Sequence, residues 1–251
     1  MPTPRQIPRN AFGILLSVTL VLLLWTGASW ICGGRLVPSP LRVFRELVTL
    51  FVDGATWRHL CLTLFRGSAG LGIAAALAFA VGIPCGLSHG AMAVVSPLVS
   101  MVQSCPPIVW ISLLLVWAST GAVVPILVVI ASAFPPLFSS ISHAVVSMDR
   151  DLLGMARVYR IPRWCVLRHI LLPGVFRHAL GAFSFALGVT WKVTATAEFF
   201  GADSGVGSRI YWAYRLLDMP LLFGWTLLVI LVGLVLEWCL IQPLRGHGRE
   251  S

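Results

Sequence analysis

Lys192 is the only lysine of the chain, and it stands in an apolar run with Thr190, Trp191, Thr194 and Thr196 before Glu198 closes the segment. A cation at the centre of a membrane span costs roughly 2.5–3.5 kcal/mol on the insertion scale unless something answers it. Its chemistry there would be electrostatic, a fixed positive charge on a translocation path that favours an anionic or zwitterionic solute. The bland alternatives are a structural ion pair with Glu198 or Glu237, or a side chain reaching for the interface. Glu198 is a poor direct partner, because the helical step from 192 to 198 is about 600° of turn and about 9 Å of rise, which leaves the two side chains about 120° apart. Glu198 itself reads as a gate or docking residue, or as a helix-end carboxylate that caps or pairs with Arg209 or Arg215. Pro106 and Pro107 interrupt another apolar run, and their freed backbone groups must face protein or a wet cavity. Trp110 and Trp191 complete the set of path candidates, although tryptophan in membranes more often marks the interface.

The chemistry that is missing is as informative. No Gly-x-x-x-x-Gly-Lys-Ser/Thr sequence occurs, so the chain has no phosphate-cradling loop for ATP. No Ser/His/Asp order or metal-ligand spacing gathers at a plausible site. Cys32, Cys61, Cys85, Cys105, Cys165 and Cys239 lie far apart, with neither disulfide nor metal spacing. The chain reads as non-enzymatic, with no catalytic residue, metal or cofactor of its own.

A docking element is visible in the long polar interruption 149–173, DRDLLGMARVYRIPRWCVLRHILLP. Met155 to Arg160 reads as one short helix, Ile161-Pro162 breaks it, and a second helix over 163–172 stops at Pro173. Two short helices bent about a proline make an elbow able to dock in a groove on a soluble partner. Met155, Ala156, Val158, Tyr159 and Ile161 are the docking candidates, since apolar and aromatic groups fill such a groove better than solvated arginines.

The elements that position these residues follow from composition. With 58% hydrophobic residues, 11% charged and a mean hydropathy of +0.91, the chain is an all-α polytopic membrane protein rather than a soluble domain. Its net charge of +9 would suggest nucleic acid in a soluble protein. Here arginines collect at the N-terminus, in the elbow and in the tail, as the positive-inside rule requires of cytoplasmic segments, so no nucleic-acid partner is inferred. Six spans are expected, at about 11–31, 67–87, 94–117, 123–141, 175–197 and 221–241, with both termini cytoplasmic and residues 1–251 forming one domain. The N-terminal run follows Arg5 and Arg9 like a signal peptide but lacks a small-residue cleavage site, so it is read as a retained span. An amphipathic helix from Pro40 to Leu50 lies outside along the membrane surface. Gly70, Ala74, Ala78, Gly82, Gly86 and Gly90, each four apart, give the second span a face that another helix backbone can approach closely.

With these segments in place, the elbow resembles the coupling loop of ATP-binding-cassette importer permeases, whose motif is Glu-Ala-Ala, three residues, Gly, nine residues, Ile, any residue, Leu-Pro. Ala156, Ile170, Leu172 and Pro173 fall in register. Gly154 and Met155 stand for Glu-Ala, so the carboxylate is absent, and Arg160 stands where glycine is usual, where a positive φ costs a side-chain-bearing residue energy. Other landmarks resemble the nitrate/sulfonate/taurine-type branch: Leu36 to Pro40, Leu62 to Arg66, Pro106 to Trp110 with Trp117 and Gly121, and Trp191 to Glu198 with Gly205-Val206-Gly207. The resemblance runs over about residues 36–245, and its specificity lies in the joint order of the pieces. It implies a type I importer permease (MetI-like) fold in the inner membrane, two permease copies, a separate ATPase that binds the ATP, and a periplasmic or lipoprotein substrate-binding protein. A self-sufficient secondary transporter is the rival reading; it would need intramembrane coupling carboxylates, for which Glu237 is the deep candidate.

Overall fold

The computed structural model describes residues 7–148 and 150–241. Asp149, the first residue of the elbow as read from sequence, lies outside them, as do the termini that carry Arg5 and Arg245. Among the described residues all regular secondary structure is helical. Helices α1 (Ile7–Ile31), α2 (Pro40–Val52), α3 (Gly54–Leu87), α4 (His89–Ser104), α5 (Pro107–Ala118) and α6 (Val123–Val146) precede the elbow. The elbow holds α7 (Arg150–Val158) and α8 (Arg163–Val166), and α9 (Leu172–Gly201), α10 (Val206–Arg215) and α11 (Met219–Leu236) follow it.

Three helices (α3, α6 and α11 with its extension to Cys239) are long and apolar enough to cross a membrane, and two bent pairs raise the count to five. With the shorter apolar helix Leu15–Ile31, this agrees with about six membrane segments. The helices run longer than the sequence suggests. At about 1.5 Å per residue, the 34 residues of α3 reach well past a hydrocarbon core of about 30 Å, so its first turns, with Arg58, His59 and Arg66, extend toward the end occupied by α2 and α10. Asp53 starts this helix by accepting from the Ala55 N–H at 3.0 Å.

The centre of the molecule is α3 against α6, and here the small-residue stripe does what its spacing predicts. A Cβ added at Gly70 would lie 2.8 Å from the Val129 Cβ, and one at Gly86 would lie 2.6 Å from the Val145 Cβ and 2.7 Å from the Ser142 carbonyl oxygen. Gly82 meets Ile141 in the same way, while Ala74 and Ala78 are wholly buried. Gly90 stands outside the seam, with open space around it. Leu71, Val124, Val128, Leu137, Phe138, Ile141, Val175 and Ala179 fill the core where α9 packs on this pair. A second cluster joins α2 to α11 through Leu47, Leu50, Trp225 and Leu228.

Three expectations are corrected. The segment 94–117 is not one straight span, because α4 and α5 meet at Ser104–Pro107 with a bend of 92°. Pro107 has no N–H and Cys105-Pro106 are extended, so no helical hydrogen bond carries the axis across the break. The second correction is that α6 continues through Pro135-Pro136 to Val146 rather than ending near 141. Pro135 is buried against the packed core, and that packing holds the helix on although two internal N–H donors are missing.

The third correction lies at Pro173, where the chain does not stop. A π-helical turn, Leu167–Leu171, links α8 to α9, and the Leu172 N–H donates to the Leu167 carbonyl. The wider turn relieves the clash between the Pro173 ring and the carbonyl four residues back. Within the elbow α7 begins at Arg150 and ends at Val158, and the Ile161 N–H reaches the Ala156 carbonyl at 2.9 Å. That closure requires a left-handed residue between them, which is Arg160 at φ +50°.

Candidate functional site

At the end of α9 far from the elbow, three landmarks that are distant in sequence converge. Glu198 is fully buried and forms an ion pair of 2.8 Å with Arg66 of α3. The Thr63 hydroxyl donates to the other carboxylate oxygen at 2.7 Å and itself accepts from the Val206 N–H at 2.9 Å. The Gly207 N–H also donates to the carboxylate, at 3.2 Å, and the Arg66 guanidinium completes its set on the Ser204 hydroxyl (2.7 Å) and carbonyl. Both ions thus keep hydrogen bonds beyond their own pair, which is the condition for a buried pair to persist. The glycines are dictated by closeness: Gly205 sits at φ +107°, and a Cβ on it would strike the Glu198 carboxylate, while one on Gly207 would strike the Ala195 carbonyl. His59 extends the tie, its Nδ1 facing the Gly205 N–H and its Nε2 facing Arg209 Nε, each at 3.0 Å.

Glu198 therefore pairs with neither Arg209 nor Arg215, and it faces a sealed interior rather than an open lumen. Arg66 was missed as its partner. The available signal was an arginine inside a long apolar stretch, which demands a counter-charge somewhere. Neither their pairing across a sequence separation of 132 nor the approach of α10 is written in a local pattern.

The other path candidates are dispersed. Pro106 and Pro107 are exposed at the α4–α5 break, and Trp110 packs against the α3–α6–α9 core with its indole N–H unpaired. Trp191 is buried in the other cluster, where its indole donates to the Val229 carbonyl at 3.2 Å and so pins α9 to α11. Lys192 is exposed beside it, on a groove of about 480 Å³ between α9 and α11 that Glu237 also lines.

The elbow presents an apolar surface. Val158 (79% exposed), Tyr159 (72%), Met155, Ile161 and Trp164 stand out from it, Arg160 is exposed at the corner, and Gly154 is half-buried. Trp164, outside the docking candidates that the sequence offers, belongs to this surface. Ala156 is buried, at 5%, so it supports the patch from beneath and is not itself presented. Ile170 is half-buried, and Leu172 and Pro173 are exposed where α9 begins. The side chain of Met148 lies against Gly174, joining the end of α6 to the start of α9.

Comparison with known proteins gives this geometry its setting. The chain is 27% identical over 242 residues to the taurine transport system permease protein TauC of Escherichia coli (strain K12), covering 94% of this chain and 87% of that one. It is 27% identical to the bicarbonate transport system permease protein CmpB of Synechococcus elongatus, covering 81% and 78%. Among solved structures it resembles inward-facing MetNI methionine ABC transporter (TM-score 0.60, 19% identity, 79% of this chain and 96% of that one). It also resembles a bacterial alginate ABC transporter in complex with a periplasmic protein (TM-score 0.60, 14% identity, 95% and 98%), and both likenesses support the fold. Residues 78–240, well over half of the chain, match the family described as binding-protein-dependent transport system inner membrane component. A match of that extent, on a fold shared with importer permeases, makes this protein a member of that family, the permease subunits of ATP-binding-cassette importers.

Proposed function

We propose that two copies of this permease form a path for a small anionic or zwitterionic solute, delivered by a binding protein and driven by a separate ATPase that binds the ATP. The termini and the elbow lie on the cytoplasmic side, and the end carrying α2 and α10 faces outward. The observation that carries this reading is the elbow itself: a surface of Met155, Val158, Tyr159, Ile161 and Trp164 exposed among arginines, on a corner held by the Ile161 to Ala156 hydrogen bond. An apolar patch with a polar rim marks a docking site. Taurine and bicarbonate, named for two relatives, are both small and carry an anionic group, which supports the solute class.

The test is co-purification in detergent with the ATPase encoded beside this chain. Wild type should retain the ATPase, and Val158→Asp or Tyr159→Asp should lose it while the permease keeps its amount and elution volume. Ala156→Glu is the wrong probe, because a charge forced into that buried position would unfold the elbow. If neither wild type nor variant holds an ATPase and uptake persists without one, the chain works as a self-sufficient secondary transporter.

A further inference from the structure

The groove between α9 and α11 is lined by Ser184, Gly188, Trp191 and Lys192 on one side and by Gly233 and Glu237 on the other. Its volume, about 480 Å³, is that of a small-molecule site. Small residues open it: a Cβ on Gly233 would already touch the Trp191 indole at 3.5 Å. Among the described residues the ion pair formed within the chain is Arg66–Glu198, so Lys192 and Glu237 both reach the groove without a salt-bridge partner. Two opposite charges left open in membrane helices are expensive in lipid and call for a wet cavity and a charged occupant. Their levels differ. Trp191, next to Lys192, contacts α11 at Val229 and Gly233, and Glu237 lies one turn beyond Gly233, an axial rise of about 6 Å.

Resting on the permease reading above, we infer that this groove is a solute subsite selective for zwitterions, with Lys192 holding the acidic group and Glu237 the ammonium group. Glu237 is then the specificity determinant. A simple anion of the same size meets Lys192 but leaves Glu237 unpaired and repels it, whereas a zwitterion answers both charges. Trp191, fixed by its hydrogen bond to Val229, forms the wall between them.

The experiment uses the full chain purified in lipid nanodiscs, with taurine and ethanesulfonate, which differ by the ammonium group, as probes in titration calorimetry. Wild type should bind taurine at least tenfold more tightly than ethanesulfonate. Lys192→Met should lose both probes, Glu237→Gln should bring them to within about twofold, and the exchange Lys192→Glu with Glu237→Lys should recover taurine. Equal binding of both probes by wild type, binding of neither, or an unchanged preference in Glu237→Gln overturns the proposal. Light scattering on the same samples reads the other possible occupant. If both single variants turn a dimer into monomers with probe binding unaffected, the groove holds a second copy and the proposal falls. Co-purification with the ATPase separates the two readings: an ATPase that binds a permease lacking this preference refutes the subsite and leaves the transporter standing.

Discussion

Single residues set the stability of the end built from α3, α9 and α10. Removing one member of the Arg66–Glu198 pair leaves the other ion buried and unanswered, at a cost of about 3–5 kcal/mol. Arg66→Met or Glu198→Met should therefore lower the thermal midpoint of the detergent-solubilised protein sharply, whereas the double change to methionine should recover much of the loss. Equal destabilisation by the double variant would mean that the glycine-wrapped hydrogen bonds, not the charges, hold this end. Gly207→Ala tests those bonds from the other side. Its Cβ meets backbone at Ala195 rather than a flexible side chain, so the added methyl cannot be accommodated by a rotamer change and yield of folded protein should fall.

At the scale of elements, the elbow is a helix stop built around an arginine in the left-handed region. Holding that conformation costs a residue with a side chain about 1–2 kcal/mol, and glycine takes it freely. Arg160→Gly should therefore tighten the corner, visible as slower amide exchange at Ile161 and increased retention of the ATPase. Faster exchange there would show that the arginine makes a compensating contact in the assembled transporter. The α3–α6 seam responds in the opposite sense. Gly86→Val adds three carbons where the Val145 Cβ and the Ser142 carbonyl already stand within 2.7 Å of an added Cβ, so the helices must separate along their length. Its expected signature is a lower thermal midpoint together with aggregation in detergent, the mark of a lost seam rather than a lost contact.

Over the whole molecule, the proposed orientation has a direct readout. The six cysteines are free. With all six replaced by serine, Asp53→Cys should react with a membrane-impermeant maleimide on whole cells, and Tyr159→Cys should react after the cells are opened; the reverse order would invert the topology. What the sequence alone determined is what local patterns encode: hydropathy set the membrane class and about six segments, four-residue spacing of small residues set the close-approach face of α3, and the motif around Ala156, Ile170, Leu172 and Pro173 set the elbow. Even the anomaly at Arg160 was legible, since the family's glycine implied the positive φ that the chain adopts. What the tertiary structure alone decided are relations between elements: the partner of Glu198, the burial of Ala156, the right-angle break at Pro106-Pro107, and the groove shared by Lys192 and Glu237. The physical reason is range. Periodicity and proline chemistry act over a few residues of chain, while a buried charge is answered by whichever helix packing brings to it, and that helix is fixed by the close approach of backbones far apart in sequence.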